Sequence, residues 1–160
     1  MKKSVGYLLS PIGLIKIVGQ DDSIVSVEFV SRKDEEELIC PVVKEAILQL
    51  EEYFESKRTT FDLKLQLQGT EFQKRVWNEL IHISFGSVIS YSELAKKVGK
   101  PQGARAVGNA AKKNSAVIIV PCHRVVKSDL SLGGFNGGLE KKIWLLSHEG
   151  WKIENGLLRK

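Results

Sequence analysis

Apolar and polar residues alternate along the first thirty positions of the chain. Val5-Gly6-Tyr7-Leu8-Leu9, Gly13 to Val18 and Ile24 to Val30 carry the period of two expected of strands. Ser10-Pro11-Ile12-Gly13 and Asp21-Asp22 supply turn chemistry between them. The period then changes. Val42, Val43, Ala46, Ile47, Leu50 and Phe54 recur at helical spacing behind the acidic run Asp34-Glu35-Glu36-Glu37, which predicts a helix over residues 41–54. A short strand is expected over residues 61–67, and Gln68-Gly69 reads as a junction.

Beyond the junction the pattern is mostly helical. Thr70 can cap a helix running from Glu71 to about Ile83, with Phe72, Val76, Leu80 and Ile83 as its stripe. Ser90-Tyr91-Ser92-Glu93 is a capping-box pattern opening a helix to Val98, which Gly99-Lys100-Pro101 stops. A further helix is expected from Gly103 to about Lys113, so the pair has the outline of a helix-turn-helix. The apolar run Val117 to Val120 reads as a strand leading into Pro121-Cys122. Gly133 to Gly138 is a glycine-rich loop, and a last helix over Leu139 to His148 ends at Gly150. The fold class expected is α+β: a small α/β domain over residues 1–67 and a mainly helical domain over residues 68–160.

Charge separates the same two halves. Residues 1–67 hold 9 Lys/Arg against 12 Asp/Glu, and residues 68–160 hold 15 against 7. The basic half suits a polyanionic partner, nucleic acid first, although a basic surface also simply keeps a protein soluble. No run of about 18 apolar residues is present, so no membrane span is expected. The start lacks the small-residue cleavage site of a secretory signal. Two cysteines, Cys40 and Cys122, lie far apart and form no CxxC pattern, which predicts free thiols in a reducing cytoplasm. Cys40 reads as a small buried hydrophobe.

Cys122 and His123 are adjacent in Val120-Pro121-Cys122-His123-Arg124-Val125-Val126. A thiolate is a strong nucleophile, and imidazole is a base near neutral pH. The pair reads either as a positioned nucleophile and base or as a buried cysteine beside an incidental histidine. The helix over residues 103–113 adds a second feature. Arg105, Asn109 and Lys112 share one face, with Gly103, Ala104 and Gly108 leaving the backbone around the arginine nearly bare. Such a face can approach a DNA groove closely and project one long cation into it. Small residues at a helix–helix contact are the other reading. Lys96-Lys97 and Lys141-Lys142 read as solvated faces, and Lys112-Lys113 as the pair suited to phosphate.

Several ordered motifs over residues 70–160 resemble the methylated-DNA–protein-cysteine methyltransferases. They are Ile89-Ser90-Tyr91, Arg105-Ala106-Val107-Gly108, Asn114, Pro121-Cys122-His123-Arg124-Val125, Gly137-Gly138-Leu139, Trp144-Leu145-Leu146 and His148-Glu149-Gly150. The resemblance implies a winged helix-turn-helix C-terminal domain. The first half resembles the family's ribonuclease H-like N-terminal domain more weakly.

The resemblance also implies roles. Cys122 would accept the alkyl group of O6-alkylguanine in duplex DNA, with O4-methylthymine a further substrate. His123 would deprotonate Cys122 through a water, Glu149 would hold His123, and Asn114 would brace the cysteine turn. Tyr91 would contact the lesion base, and Arg105 would fill the gap left by the flipped base. Gly103, Ala104, Ala106, Gly108, Asn109 and Lys112 would lie against DNA. Val125, Phe135, Asn136 and Gly137 would line the base pocket. Phe135 and Asn136 depart from the tyrosine and serine common in the family, which puts lesion preference in doubt. No cofactor, no metal and no obligatory protein partner are expected, and a monomer is. The alternative kept beside this reading is a non-catalytic sensor of alkylated DNA; Cys122 argues against it. A cysteine hydrolase would need a remote histidine and a deacylating water.

Overall fold

The structure, a computed structural model, describes residues 3–160. They form two compact units: the chain up to Gln68 together with Ser115–Val117, and Gly69–Asn114 with Ile118–Lys160.

In the first unit, β1 (Lys3–Ser10), β2 (Gly13–Gln20) and β3 (Ser23–Val30) make an antiparallel meander in the order β1-β2-β3. Strand alternation gives each face its own neighbours. Val5, Tyr7 and Val18 form a cluster on one face, with Leu14, Val25 and Val30 packed against it. The other face receives α1 (Pro41–Phe54), whose buried stripe is Val43, Ala46, Leu50 and Tyr53. Gly6 permits that approach: a Cβ there would stand 2.7 Å from Val43 Cγ1. Pro41 opens the helix, where its missing N–H costs nothing.

Two expectations change here. Residues 61–67 form no strand; a single parallel bridge joins Leu65 to Ile24, because the segment makes only two backbone bonds with it. Cys40 is half-buried at the N-cap of α1 rather than in the core.

The second unit begins with α2 (Glu71–Ile81). Thr70 and Gln73 close a reciprocal capping box at its start. Trp77 on this helix donates its indole N–H to Ala110 O at 2.9 Å. Then follow β4 (Ile89–Ser90), α3 (Tyr91–Lys97), α4 (Ala104–Lys112), a 3-10 turn over Cys122–Arg124, β5 (Val125–Val126), α5 (Leu139–His148), and the hairpin β6 (Lys152–Glu154) with β7 (Leu157–Arg159). The two-residue strands β4 and β5 pair in parallel and so tie the start of α3 to the end of the cysteine turn. Val126, Leu132, Leu146 and Leu158 form a core cluster of this unit.

The apolar run before the cysteine is not a strand. Val117 N–H bonds to Val27 O within the first unit, and Ile118 then takes φ 73°. The run is apolar because it is buried at every position from Ala116 to Val120, not because it lies in a sheet.

Candidate active site and nucleic-acid interface

Pro121 sits at φ −81°, ψ 65°, the centre of an inverse γ-turn, and Cys122 N–H closes the turn on Val120 O at 2.8 Å. Cys122 therefore opens a 3-10 turn rather than lying on an extended strand. Asn114 braces this turn from the end of α4. Its Nδ2 donates to Val120 O at 2.7 Å and to Cys122 Sγ at 3.2 Å. Burial pushes the Cys122 thiol up to about 11, against the pull of the Asn114 hydrogen bond and the positive charge of Lys142.

His123 and Glu149 are both shielded from solvent, and Nε2 lies 2.8 Å from Oε2. Arg124 meets the same carboxylate side-on, Nε to Oε1 at 2.8 Å and Nη2 to Oε2 at 2.9 Å, and its Nη1 donates to Ile83 O. Burial works to raise the Glu149 carboxyl, but hydrogen bonds and charges from His123 and Arg124 outweigh it and hold the group well below the carboxylate range. Burial also keeps His123 below its ordinary value, although Glu149 opposes the shift. At neutral pH the cluster is a carboxylate, a guanidinium and a neutral imidazole. A carboxylate only accepts, so Nε2 carries the imidazole proton. Nδ1 is then the basic nitrogen, and it is buried with no protein hydrogen-bond partner among the described residues.

Tyr91 is the first residue of α3, capped by Ser90 Oγ accepting from Glu93 N–H at 3.1 Å. Its ring fits between Gly108 of α4 and Gly133 of the glycine-rich loop. A Cβ at Gly133, where φ is +70°, would fall 2.5 Å from the Tyr91 hydroxyl oxygen. Burial raises the Tyr91 hydroxyl, a hydrogen bond from the Gly134 backbone opposes this, and Cys122 adds to it.

On α4 the apolar side is Val107, Ala110 and Ala111; Arg105, Ala106, Asn109 and Lys112 are exposed. An open groove of about 550 Å³ runs along this face, with Tyr91, Ala104, Arg105, Gly108, Asn109 and Lys112 among its walls. Gly103 is the N-cap of α4. Beside the groove, Tyr91, Gly108, Cys122, Gly134, Phe135 and Asn136 enclose a space of about 10 Å³. That is room for at most one water.

Val125 and Gly137 do not line this space. Val125 is instead fully buried in β5, where its carbonyl accepts from Lys142 Nζ at 2.6 Å. Lys142 itself corrects the reading of Lys141-Lys142 as a solvated face: its side chain is fully buried. The signal was present in the sequence, since Lys142, Leu145, Leu146 and Glu149 share the inward stripe of α5 at helical spacing. Arg124 was likewise visible only as a motif letter, and the structure gives it the Glu149 carboxylate. His148 stacks on Trp144 at 4.9 Å and has a packing role. Among the described residues no group of three or more His, Cys, Asp and Glu is arranged to hold a metal ion.

Fold and site together define a helix-turn-helix domain carrying a braced, buried thiol next to a His–Glu–Arg cluster. The chain belongs to the 6-O-methylguanine DNA methyltransferase family: residues 71–151 match its DNA binding domain and residues 4–67 its ribonuclease-like domain. A methylated-DNA–protein-cysteine methyltransferase of Methanosarcina acetivorans is 43% identical over 88% of this chain and 94% of its own length. That of Mycobacterium leprae is 39% identical over 92% and 93%. The crystal structure of the Mycobacterium tuberculosis O6-methylguanine methyltransferase superposes with a TM-score of 0.84 at 36% identity, covering 92% of this chain and 93% of that one. A structure of the same organism's protein in complex with DNA matches with a TM-score of 0.82.

Proposed function

We propose that this protein repairs DNA by taking the alkyl group of O6-alkylguanine onto Cys122, once per molecule. The observation that carries the reading is the contact of Asn114 with Cys122 Sγ at 3.2 Å beside a buried His123–Glu149 pair, in the domain whose groove Arg105 and Lys112 line.

The thiol proton passes through a water to His123 Nδ1, and Glu149 stabilises the imidazolium that forms. The thiolate then attacks the alkyl carbon. The S–C bond forms as the C–O6 bond breaks, and the electron pair stays on the guanine. Tyr91 and the backbone near Asn136 supply donors for that developing charge. The product thioether is a poor leaving group, so the thiol is not regenerated and no cofactor takes part.

An O6-alkyl group inside a stacked duplex cannot reach Cys122, so the base must leave the stack. Arg105 fills the gap it leaves, while Gly103, Ala104, Ala106, Gly108, Asn109 and Lys112 lie along the DNA. Phe135 and Asn136 close the pocket over the base.

Mixing the protein with a duplex carrying O6-methylguanine is expected to replace one hydrogen by one methyl on Cys122, read by peptide mass spectrometry. Cys122→Ala is expected to bind the duplex unchanged in mass. Repeated turnover, or methyl on another residue, sinks the mechanism.

A further inference from the structure

The groove along α4 and the small space beside Cys122 share four walls: Tyr91, Gly108, Lys112 and Gly134. These residues are the partition between the open groove and the thiol. Gly108 and Gly134 have no side chains, and the Tyr91 ring is fixed by its fit between Gly108 and Gly133. Lys112 is the one member of the partition with a long, flexible side chain, and the residue is exposed. The end of that side chain nevertheless lies on the glycine-rich loop. A Cβ at Gly134 would stand 2.8 Å from Lys112 Cε and 3.2 Å from its Nζ, so only a glycine leaves room for the lysine there. Resting a lysine in one place costs side-chain entropy, and the contact here is with bare backbone rather than a counter-charge. No Asp or Glu among the described residues lines the groove or the space, whereas Arg105, Lys112 and Lys127 all line the groove. Lys142, on the inner side, carries a like charge that acts against Lys112. The Lys112 ammonium is therefore held loosely and is attracted to any phosphate that enters the groove.

We propose that Lys112 makes the site selective for a base carried on a phosphate backbone: without phosphate its side chain lies on Gly134 across the partition and covers the way to Cys122, and a backbone phosphate draws it off. The inference rests on the alkyl-acceptor reading and deepens it, because it states how that site is kept for DNA rather than for free nucleobases and small electrophiles. One side chain serves both halves of the task. Its stem covers the thiol when the groove is empty, and its charge binds the strand when the groove is filled. A free base brings no phosphate, so it meets the covered form and reacts only in the fraction of molecules whose lysine has swung away. Lys112 moves no proton and touches no reacting atom in this scheme.

The test compares wild type, Lys112→Ala and Lys112→Met, with modification of Cys122 followed by peptide mass spectrometry. Lys112 is exposed, so both variants are expected to fold. Three reactants are used: iodoacetamide, free O6-benzylguanine, and a duplex carrying O6-methylguanine. Lys112→Ala removes the cover and is expected to speed benzylation by free O6-benzylguanine about fivefold, and the smaller iodoacetamide less. Lys112→Met keeps most of the stem without the charge and is expected to give a clearly smaller gain. Repair of the duplex is expected to slow in both variants, with the salt dependence of duplex binding reduced by about one counterion. The gain with iodoacetamide is expected to be the same factor at every pH, because access changes and the thiolate fraction does not. Free reactants that are no faster with Lys112→Ala overturn the inference. Equal gains in the two variants, or a displaced rate–pH curve, overturn it as well, since loss of charge alone would give either. Slowing of free and duplex reactions alike also overturns it. Failure of wild type to take the benzyl or the methyl group overturns the alkyl-acceptor reading instead, and the iodoacetamide comparison still decides whether Lys112 covers the thiol.

Discussion

His123 Nε2 and Glu149 Oε2 stand 2.8 Å apart with neither side chain exposed, and that contact decides which imidazole nitrogen is the base. Because Glu149 also receives two bonds from Arg124, one carboxylate fixes a base and balances a cation at once. Glu149→Gln is therefore expected to harm both. It presents an amide that can impose the wrong tautomer, slowing methyl transfer about 100-fold or more in single-turnover kinetics. It also leaves the Arg124 charge buried without its partner, at a cost of about 3–5 kcal/mol in denaturant unfolding. Unchanged transfer in this variant would remove His123 from the relay.

Asn114→Ala tests the brace on the cysteine. The substitution removes the 2.7 Å side-chain donor of the Val120 carbonyl, which keeps the Cys122 N–H, and removes the Asn114 donor from Cys122 Sγ. A loss of about 0.5–1.5 kcal/mol in stability is expected from the lost hydrogen bond. Methyl transfer is expected to slow further than that loss explains, since the turn that aims Sγ is loosened. The comparison to make is the rate at a temperature where the variant is still fully folded.

Arg105→Ala separates base flipping from chemistry. Arg105 is exposed on α4, so the substitution is expected to change stability by less than about 0.5 kcal/mol. Repair of O6-methylguanine in duplex is expected to fall far more than reaction with free O6-benzylguanine, which needs no base extruded. Equal slowing in the two assays would take the gap-filling role from this residue.

Stability is expected to fall on acidification in two stages. His123 has its folded pKa held below the ordinary 6.5. As pH drops through about 6.5, the unfolded chain gains a proton that the folded one refuses, and stability declines. Glu149 is likewise held below its ordinary 4.5, so its contribution is fully present above that value and is lost as pH falls further. Unfolding midpoints measured from pH 8 to 4 should show the first decline in wild type and lack it in His123→Phe.

Gly133→Ala probes the fit of Tyr91. The added methyl meets the Tyr91 hydroxyl at 2.5 Å in a backbone conformation of φ +70° that alanine adopts poorly. Loss of transfer with the melting temperature lowered by a few degrees is the expected result, read by single-turnover kinetics and thermal unfolding.

The sequence by itself determined the elements with strong periodicity: the three strands of the meander, α1, α5 and the helix pair α3–α4. Local alternation and caps such as Thr70 with Gln73 act over a few residues, so they can be read from a few residues. The sequence also marked Cys122, His123, Asn114, Tyr91, Arg105 and Glu149 as candidates, through the motifs in which they stand. Tertiary structure decided the rest. The run before Cys122 is equally apolar in a strand or in a buried turn, and only the bond of Val117 to Val27 and the left-handed Ile118 tell them apart. The stripe of α5 carries the signal that Lys142 turns inward, but only the packed structure shows that its ammonium meets the Val125 and Gly134 carbonyls. Arg124 becomes half of an ion pair only when Glu149, 25 residues away, arrives beside it. Charge and burial are properties of what surrounds a side chain, and those surroundings come from distant parts of the chain.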